Sequence, residues 1–131
     1  VHDCDIIHCG HVSEANNRMV IGSRKSGPGD ISDIFFKNIR IEGPVWSLFR
    51  LETNGEGDLG SIYNIKFENI SVNGPVINKS RIISSKGRAE GASSSSWIRD
   101  VKFKNVTING RPFSSEDLEK GDFQVENITI E

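Results

Sequence analysis

The sequence is poor in cysteine, methionine and tyrosine, with 2, 1 and 1 in 131 residues, and nearly as poor in strong helix formers, with 3 Ala and 4 Leu against 17 Ile. The shortage of Ala and Leu removes the residues that favour helices, so a helical bundle is not expected. Two cysteines exclude a disulfide-dense miniature fold, and a chain of this length needs no such staple, because it can bury about two-thirds of its unfolded surface. Cys4 and Cys9 lie five apart and leave two readings open, a small-loop bridge or two free thiols. No apolar run approaches the ~20 residues of a membrane-crossing helix, and no membrane partner is expected. Charge of one sign is also missing. The 16 Lys and Arg and 18 Asp and Glu are scattered, for a net −2, with no basic run, which argues against nucleic acid as a partner. There is no leading Met and no signal peptide. The start at Val1 reads as a mature product, or as a fragment or C-terminal part of a longer protein, with residues 1–131 one domain.

What the sequence does have is Ile, Ser, Asn and Gly in a recurrent frame. "ISDIFFKNIRIEGP" from Ile31, "IYNIKFENISVNGP" from Ile62, "IRDVKFKNVTINGRP" from Ile98 and the shorter "FQVENITIE" from Phe123 share Ile-x-Asp/Asn-Ile/Val-x-Phe-x-Asn-Ile/Val-x-Ile/Val-x-Gly. A degenerate copy, "VHDCDI", places Asp3 where the others have Asn38, Asn69, Asn105 and Asn127, at spacings of 35, 31, 36 and 22. Repeats of this length signal stacked units that cannot bury an apolar face alone. Apolar residues alternate within each unit, as strands require, and the Asn interrupts the alternation by one step. Asn tolerates the left-handed backbone and bonds to its own chain, so it marks a corner between two strands. The expectation is an all-β, right-handed parallel β-helix of about four coils, three strands to a turn, with the handedness taken from the general rule for parallel crossovers.

The triplets at Asn69, Asn105 and Asn127 match the glycosylation signal. Each is also a corner residue, and Asn38, at the same place, has no such triplet, so a laddered Asn column accounts for all four. Asn78, off the corner, is the better acceptor. Past Gly-Pro each unit continues into another strand, in "PVWSLFRLETN", "PVINKSRIISSKG" and "NNRMVIGSRK". Arg18, Arg50 and Arg81 recur there 32 and 31 apart and are expected to form a second column. "NGEGDLG" sets oxygens at Asn54, Glu56 and Asp58 but lacks the glycine and distal glutamate of an EF-hand loop, which favours a plain turn. "RPFSSEDLEKGD" carries a short helix-like stretch with Ser114 or Ser115 as N-cap, read as a partial cap.

The opening "VHDCDIIHCGHVSE" gathers all three histidines and both cysteines. Asp3, Asp5 and Glu14 are its candidate acid and base, against a turn role for Asp3. Cys4, His8, Cys9 and His11 match no standard zinc spacing, so neither metal nor other cofactor is expected. His8 is either a buried hydrogen-bonded residue or a substrate contact. Arg18, Arg24, Lys25, Arg50 and Arg81 are candidate binding residues, because parallel strands make a flat face for a polymer and guanidinium forks donate to hydroxyl or carboxylate oxygens. A column paired internally through Glu52 is the competing reading. Trp46 is a candidate platform for a sugar ring or a cap on the core; Trp97 offers a second ring.

The stretch "DIIHCGHVSEANNRMVIGSRKSGPGDISDIFFKNIRIEGPVWSLFRLE" (5–52) resembles the later coils of the dextranase and isopullulanase group, glycoside hydrolase family 49, and more distantly the polygalacturonase-like enzymes. The detailed likeness covers about half the chain. It implies a β-helix, a polysaccharide partner, a secreted or cell-surface location, and upstream coils or a dimer meeting the exposed coil ends. The paired carboxylates of such enzymes, ~6.5–9.5 Å apart for inversion, would by this likeness precede Val1. Three functions follow as expectations: polysaccharide binding without cleavage, glycoside hydrolysis through Asp3, Asp5 or Glu14, and a purely structural or adhesive solenoid.

Overall fold

Ile, Val and Phe at alternating positions pair laterally into strands, and only a sheet whose strands run in the same direction can set like residue against like along a repeat. The computed structural model describes residues 1–7, 21–25, 29–53, 60–84 and 96–131, with 21–25 described by their backbone. Its strands are β1 (His2–Ile7), β2 (Ile21–Lys25), β3 (Ile31–Glu42), β4 (Phe49–Thr53), β5 (Ile62–Asn73), β6 (Ser80–Ile83), β7 (Ile98–Ile108), β8 (Arg111–Pro112), β9 (Leu118–Lys120) and β10 (Val125–Ile130). The larger sheet runs β1-β3-β5-β7-β10, with β8 also on β7, and the smaller runs β2-β4-β6-β9. All neighbours are parallel except β7 and β8. Up to β7 the chain alternates between the two sheets. The all-β expectation is met, with parallel sheets.

Register aligns the repeats. Ile31, Ile62, Ile98 and Val125 lie side by side, as do Ile34, Ile65, Val101 and Ile128. Phe36, Phe67 and Phe103 stack nearly face to face, with centroids 5.1 and 5.0 Å apart and planes within 8°. Phe49 reaches across from the smaller sheet, 4.5 Å from Phe67 and 5.0 Å from Phe103. These rings and the Ile columns form one buried core.

The corner asparagines sit inside continuous strands, not between separate ones, so the expectation of three strands to a turn is replaced by one long strand and one short strand per repeat. Each long strand bends twice, at left-handed residues five apart: Asp33 and Asn38, Asn64 and Asn69, Asp100 and Asn105, with φ of 51–58°. Each bend shifts the alternation by one position, which explains why the inward residues fall at 31, 34, 36, 39 and 41. Short Asx side chains bear this backbone better than other residues and bond along the column. Asn38 Nδ2 donates to Asp3 Oδ1 at 2.7 Å, Asn69 Nδ2 to Asn38 Oδ1 at 3.0 Å, and Asn105 Nδ2 to Asn69 Oδ1 at 2.8 Å.

Asn127 does not continue that ladder. Val125 pairs with Ile98 and Ile128 with Val101, so Asn127 stands over Asp100 and donates to Oδ1 of that residue, while Asn64 donates to Asp33. The motif is the cause: its two halves, Ile-x-Asx-Ile-x-Phe and Phe-x-Asn-Ile-x-Ile, have the same polar pattern five residues apart, and "VENITI" fits both. The amide nitrogens of Asn69, Asn105 and Asn127 are thus all engaged as donors.

A third column ends the long strands. Gly43, Gly74 and Asn109 have φ of 107°, 140° and 50°. A Cβ on Gly74 would stand 2.4 Å from the Gly43 carbonyl oxygen, so glycine is required there. Asn109 clasps Gly74 from the other side, with Oδ1 accepting from its N–H and Nδ2 donating to its carbonyl. At Asn109-Gly110 the chain doubles back as β8, and Phe113 is buried against Phe103. The helix-like stretch that follows is only a 3-10 turn, Ser115–Asp117. Ser114 is its N-cap, in a capping box with Asp117 that Arg111 grips with two bonds of 2.9 and 2.7 Å. The rest of that stretch becomes strand β9.

The bends separate backbone cost from side-chain cost. Asn69→Ala should lose about 2–3 kcal/mol, from left-handed strain and the broken ladder. Asn69→Gly, which keeps the backbone conformation, should lose about 1 kcal/mol. Urea unfolding midpoints of the two variants check this, and equal losses would remove the conformational explanation.

Candidate functional site

Two loops of similar sequence, Pro44–Leu48 and Pro75–Lys79, lead into β4 and β6. They are locked together by a parallel bridge between Val45 and Val76 and by a run of hydrogen bonds. Asn78 N–H donates to the Trp46 carbonyl at 2.7 Å, Ser47 Oγ to the Lys79 carbonyl at 3.0 Å, and Phe49 N–H to Ser80 Oγ at 3.1 Å. This fixes the half-buried Trp46 beside Asn78 and Lys79.

Behind the loops, the β4–β6–β9 register places Arg50 opposite Arg81 and Arg81 opposite Glu119. Two adjacent guanidiniums need a counter-charge, and Glu52 supplies it from a fully buried position. Glu52 Oε2 lies 2.9 Å from Arg50 Nε, and Oε1 lies 3.7 Å from Arg81 Nη1. Arg81 Nε also lies 2.9 Å from Glu119 Oε2. The Nε–H bonds of both arginines point off these oxygens, so the contacts are between charges more than aligned hydrogen bonds. Of the two readings of the arginines, internal pairing through Glu52 is present, and both also border solvent. Trp46, Ser47, Arg50, Asn78, Lys79, Arg81 and Glu119 line a cavity of about 380 Å³. A second hollow of about 240 Å³ adjoins it across Asn78 and Lys79 and reaches Ile77, Ile108 and Arg111.

Three of the expected binding residues, Trp46, Arg50 and Arg81, therefore meet at one place. Arg24 and Lys25 lie on β2 in register with Glu52 and Thr53. His8, Glu14 and Arg18 lie outside the described residues, as do Cys9, His11, Asn54, Glu56 and Asp58. The expected column of Arg18, Arg50 and Arg81 is corrected by register: Ile21 pairs with Phe49, which puts Gly22 opposite Arg50. The spacing of 32 residues suggested otherwise because connections between repeats differ in length. Trp97 stands apart, at the entry to β7, where its N–H meets Ser61 Oγ. Lys79 and Glu119 were not singled out by sequence. Glu119 gave no signal because its segment reads as helical, and Lys79 none because its place depends on the loop pairing.

The carboxylates of β1 are committed elsewhere. Asp3 is a left-handed bend residue that accepts from Asn38 and meets His2 Nδ1 at 2.7 Å. Those bonds hold its carboxyl below the usual aspartate range. Asp5 is held low by Arg40, whose Nε donates to it at 3.0 Å. A glycosidase acid needs its pKa raised, not lowered. Cys4 is a free thiol whose S–H approaches the His2 carbonyl at 3.2 Å. No family model matches the chain, and no curated protein or solved structure matches it either.

Glu52→Ala leaves two guanidiniums without their buried counter-charge and should cost about 3 kcal/mol. Chemical denaturation of the variant reads this directly, and an unchanged midpoint would mean that Glu52 is dispensable.

Asp3, Asp5, Asp33 and Asp117 all have folded pKa values below the ordinary 3.8. Each therefore contributes stability that is present above about 3.8 and is lost as pH falls through its lower folded value. Unfolding midpoints should hold from pH 7 to 5 and drop below about pH 4. Asp5→Asn should show a smaller drop.

Proposed function

We propose that this chain is a polysaccharide-binding domain of right-handed parallel β-helix form, in which the Trp46–Arg50–Arg81 cavity holds the sugar. Alternation of the chain between two parallel sheets in register supports the architecture, and parallel crossovers are overwhelmingly right-handed. The observation that carries the binding reading is the meeting of an indole, two fixed guanidiniums, the Lys79 ammonium and the Asn78 amide in one open cavity. An aromatic face takes the apolar side of a pyranose ring, and the surrounding donors take its hydroxyl or carboxylate oxygens. Arg50 and Arg81, pinned by Glu52, lose little side-chain freedom when a ligand arrives.

Hydrolysis by this chain alone receives less support. Asp3 and Asp5 are ionised hydrogen-bond acceptors, and neither lines this cavity. The resemblance to family 49 and polygalacturonase-like enzymes favours an extracellular glycan and a secreted or cell-surface setting, with the chain contributing binding more than cleavage.

Affinity electrophoresis in gels containing dextran, pullulan, polygalacturonate or plant-wall glucans tests the reading. Retardation is expected in at least one gel, and Trp46→Ala or Arg50→Ala should weaken it about three- to tenfold. Unretarded migration in every gel would leave a structural or adhesive role. Reducing ends that appear with wild type and vanish with Asp3→Asn or Asp5→Asn would establish hydrolysis instead.

A further inference from the structure

The two hollows beside the short strands share a rim. The one that reaches Ile77, Ile108 and Arg111 has a volume of about 240 Å³. That is below the lower end of about 300 Å³ usual for a ligand site, whereas the Trp46 cavity, at about 380 Å³, exceeds it. Asn78 and Lys79 border both. Among the described residues their side chains have no partner, so an amide and an ammonium stand at the junction with their donors unused.

Loop pairing orders the two hollows along the repeats. Val45 pairs with Val76 and Arg50 with Arg81, at the same offset, so Ile77 takes in its repeat the place that Trp46 takes in the one before. Ile77 is 44% exposed and lies with Val76 and the buried Ile108 on the wall of the hollow. This apolar patch offers the C–H face of a pyranose ring the kind of contact that the Trp46 indole offers it. On the far side stand Arg111, fixed by its two bonds to Asp117, and Glu116. A guanidinium donates and a carboxylate accepts, and a sugar hydroxyl can answer both. The Pro75–Lys79 loop and the Ser115–Asp117 turn bound the hollow from either side.

Given a sugar at Trp46, on which this inference rests, we propose that the Ile77–Arg111 hollow is a second sugar subsite, into which the same glycan chain continues past Asn78 and Lys79. The glycan then lies across the strands, in the direction in which the repeats stack. The ligand that fills the site is an oligosaccharide long enough to reach both hollows.

The test titrates the full chain with oligosaccharides of dextran, pullulan and polygalacturonate, from disaccharide to hexasaccharide, while NMR follows the Trp46 indole and the Ile77 methyl groups. With at least one series, affinity should rise with length, and the hexasaccharide should shift both signals. Ile77→Ser should weaken hexasaccharide binding about three- to tenfold and flatten the rise with length, whereas Trp46→Ala should weaken binding at every length. A hexasaccharide that shifts Trp46 and leaves Ile77 unmoved overturns the second subsite while the Trp46 site stands, and so does equal affinity of wild type and a folded Ile77→Ser. Unmoved signals with all three series, together with unretarded migration in every gel, overturn both.

Discussion

The structure depends on parallel pairing in register between repeats, because only that arrangement places Phe36, Phe67 and Phe103 in one stack and Ile39, Ile70 and Val106 in one row. A slip of one residue would turn every inward side chain outward. The Asx bends make such a slip costlier still. They recur at fixed places in each strand, so a slipped strand would lose its ladder bonds as well as its apolar contacts.

The candidate site is a product of the same register on the other sheet. Arg50 and Arg81 face each other because Leu51 and Ile82 do. Glu52 can be buried because two guanidiniums meet it, and this offsets part of the cost of taking a carboxylate out of water. The loops before β4 and β6 carry Trp46 and Asn78, and their backbone bonds transmit the spacing of the strands to the cavity rim. Residues on the core side of the short strands thus hold the register, while on the other side Arg50 and Arg81 border solvent around the buried Glu52.

The two ends of the larger sheet are finished differently. At one end, β8, Phe113 and the Ser114–Asp117 capping box cover half of β7, and β10 covers the other half. At the other, β1 pairs with β3 from Lys37 to Glu42.

By itself the sequence determined the β class, the repeat, the inward Ile and Phe positions and the bends at Asn38, Asn69 and Asn105, because these are local: alternation sets the strand and a short Asx side chain tolerates the left-handed backbone. Tertiary structure decided whatever depends on register between distant segments. It moved Asn127 to the Asp100 column, since two halves of the motif look alike until the partner strand is known. It set Gly22, not Arg18, opposite Arg50, since connections of unequal length hide the pairing. It gave Glu119 to Arg81 and Lys79 to the cavity rim, through contacts between residues more than 30 positions apart that local pattern cannot encode.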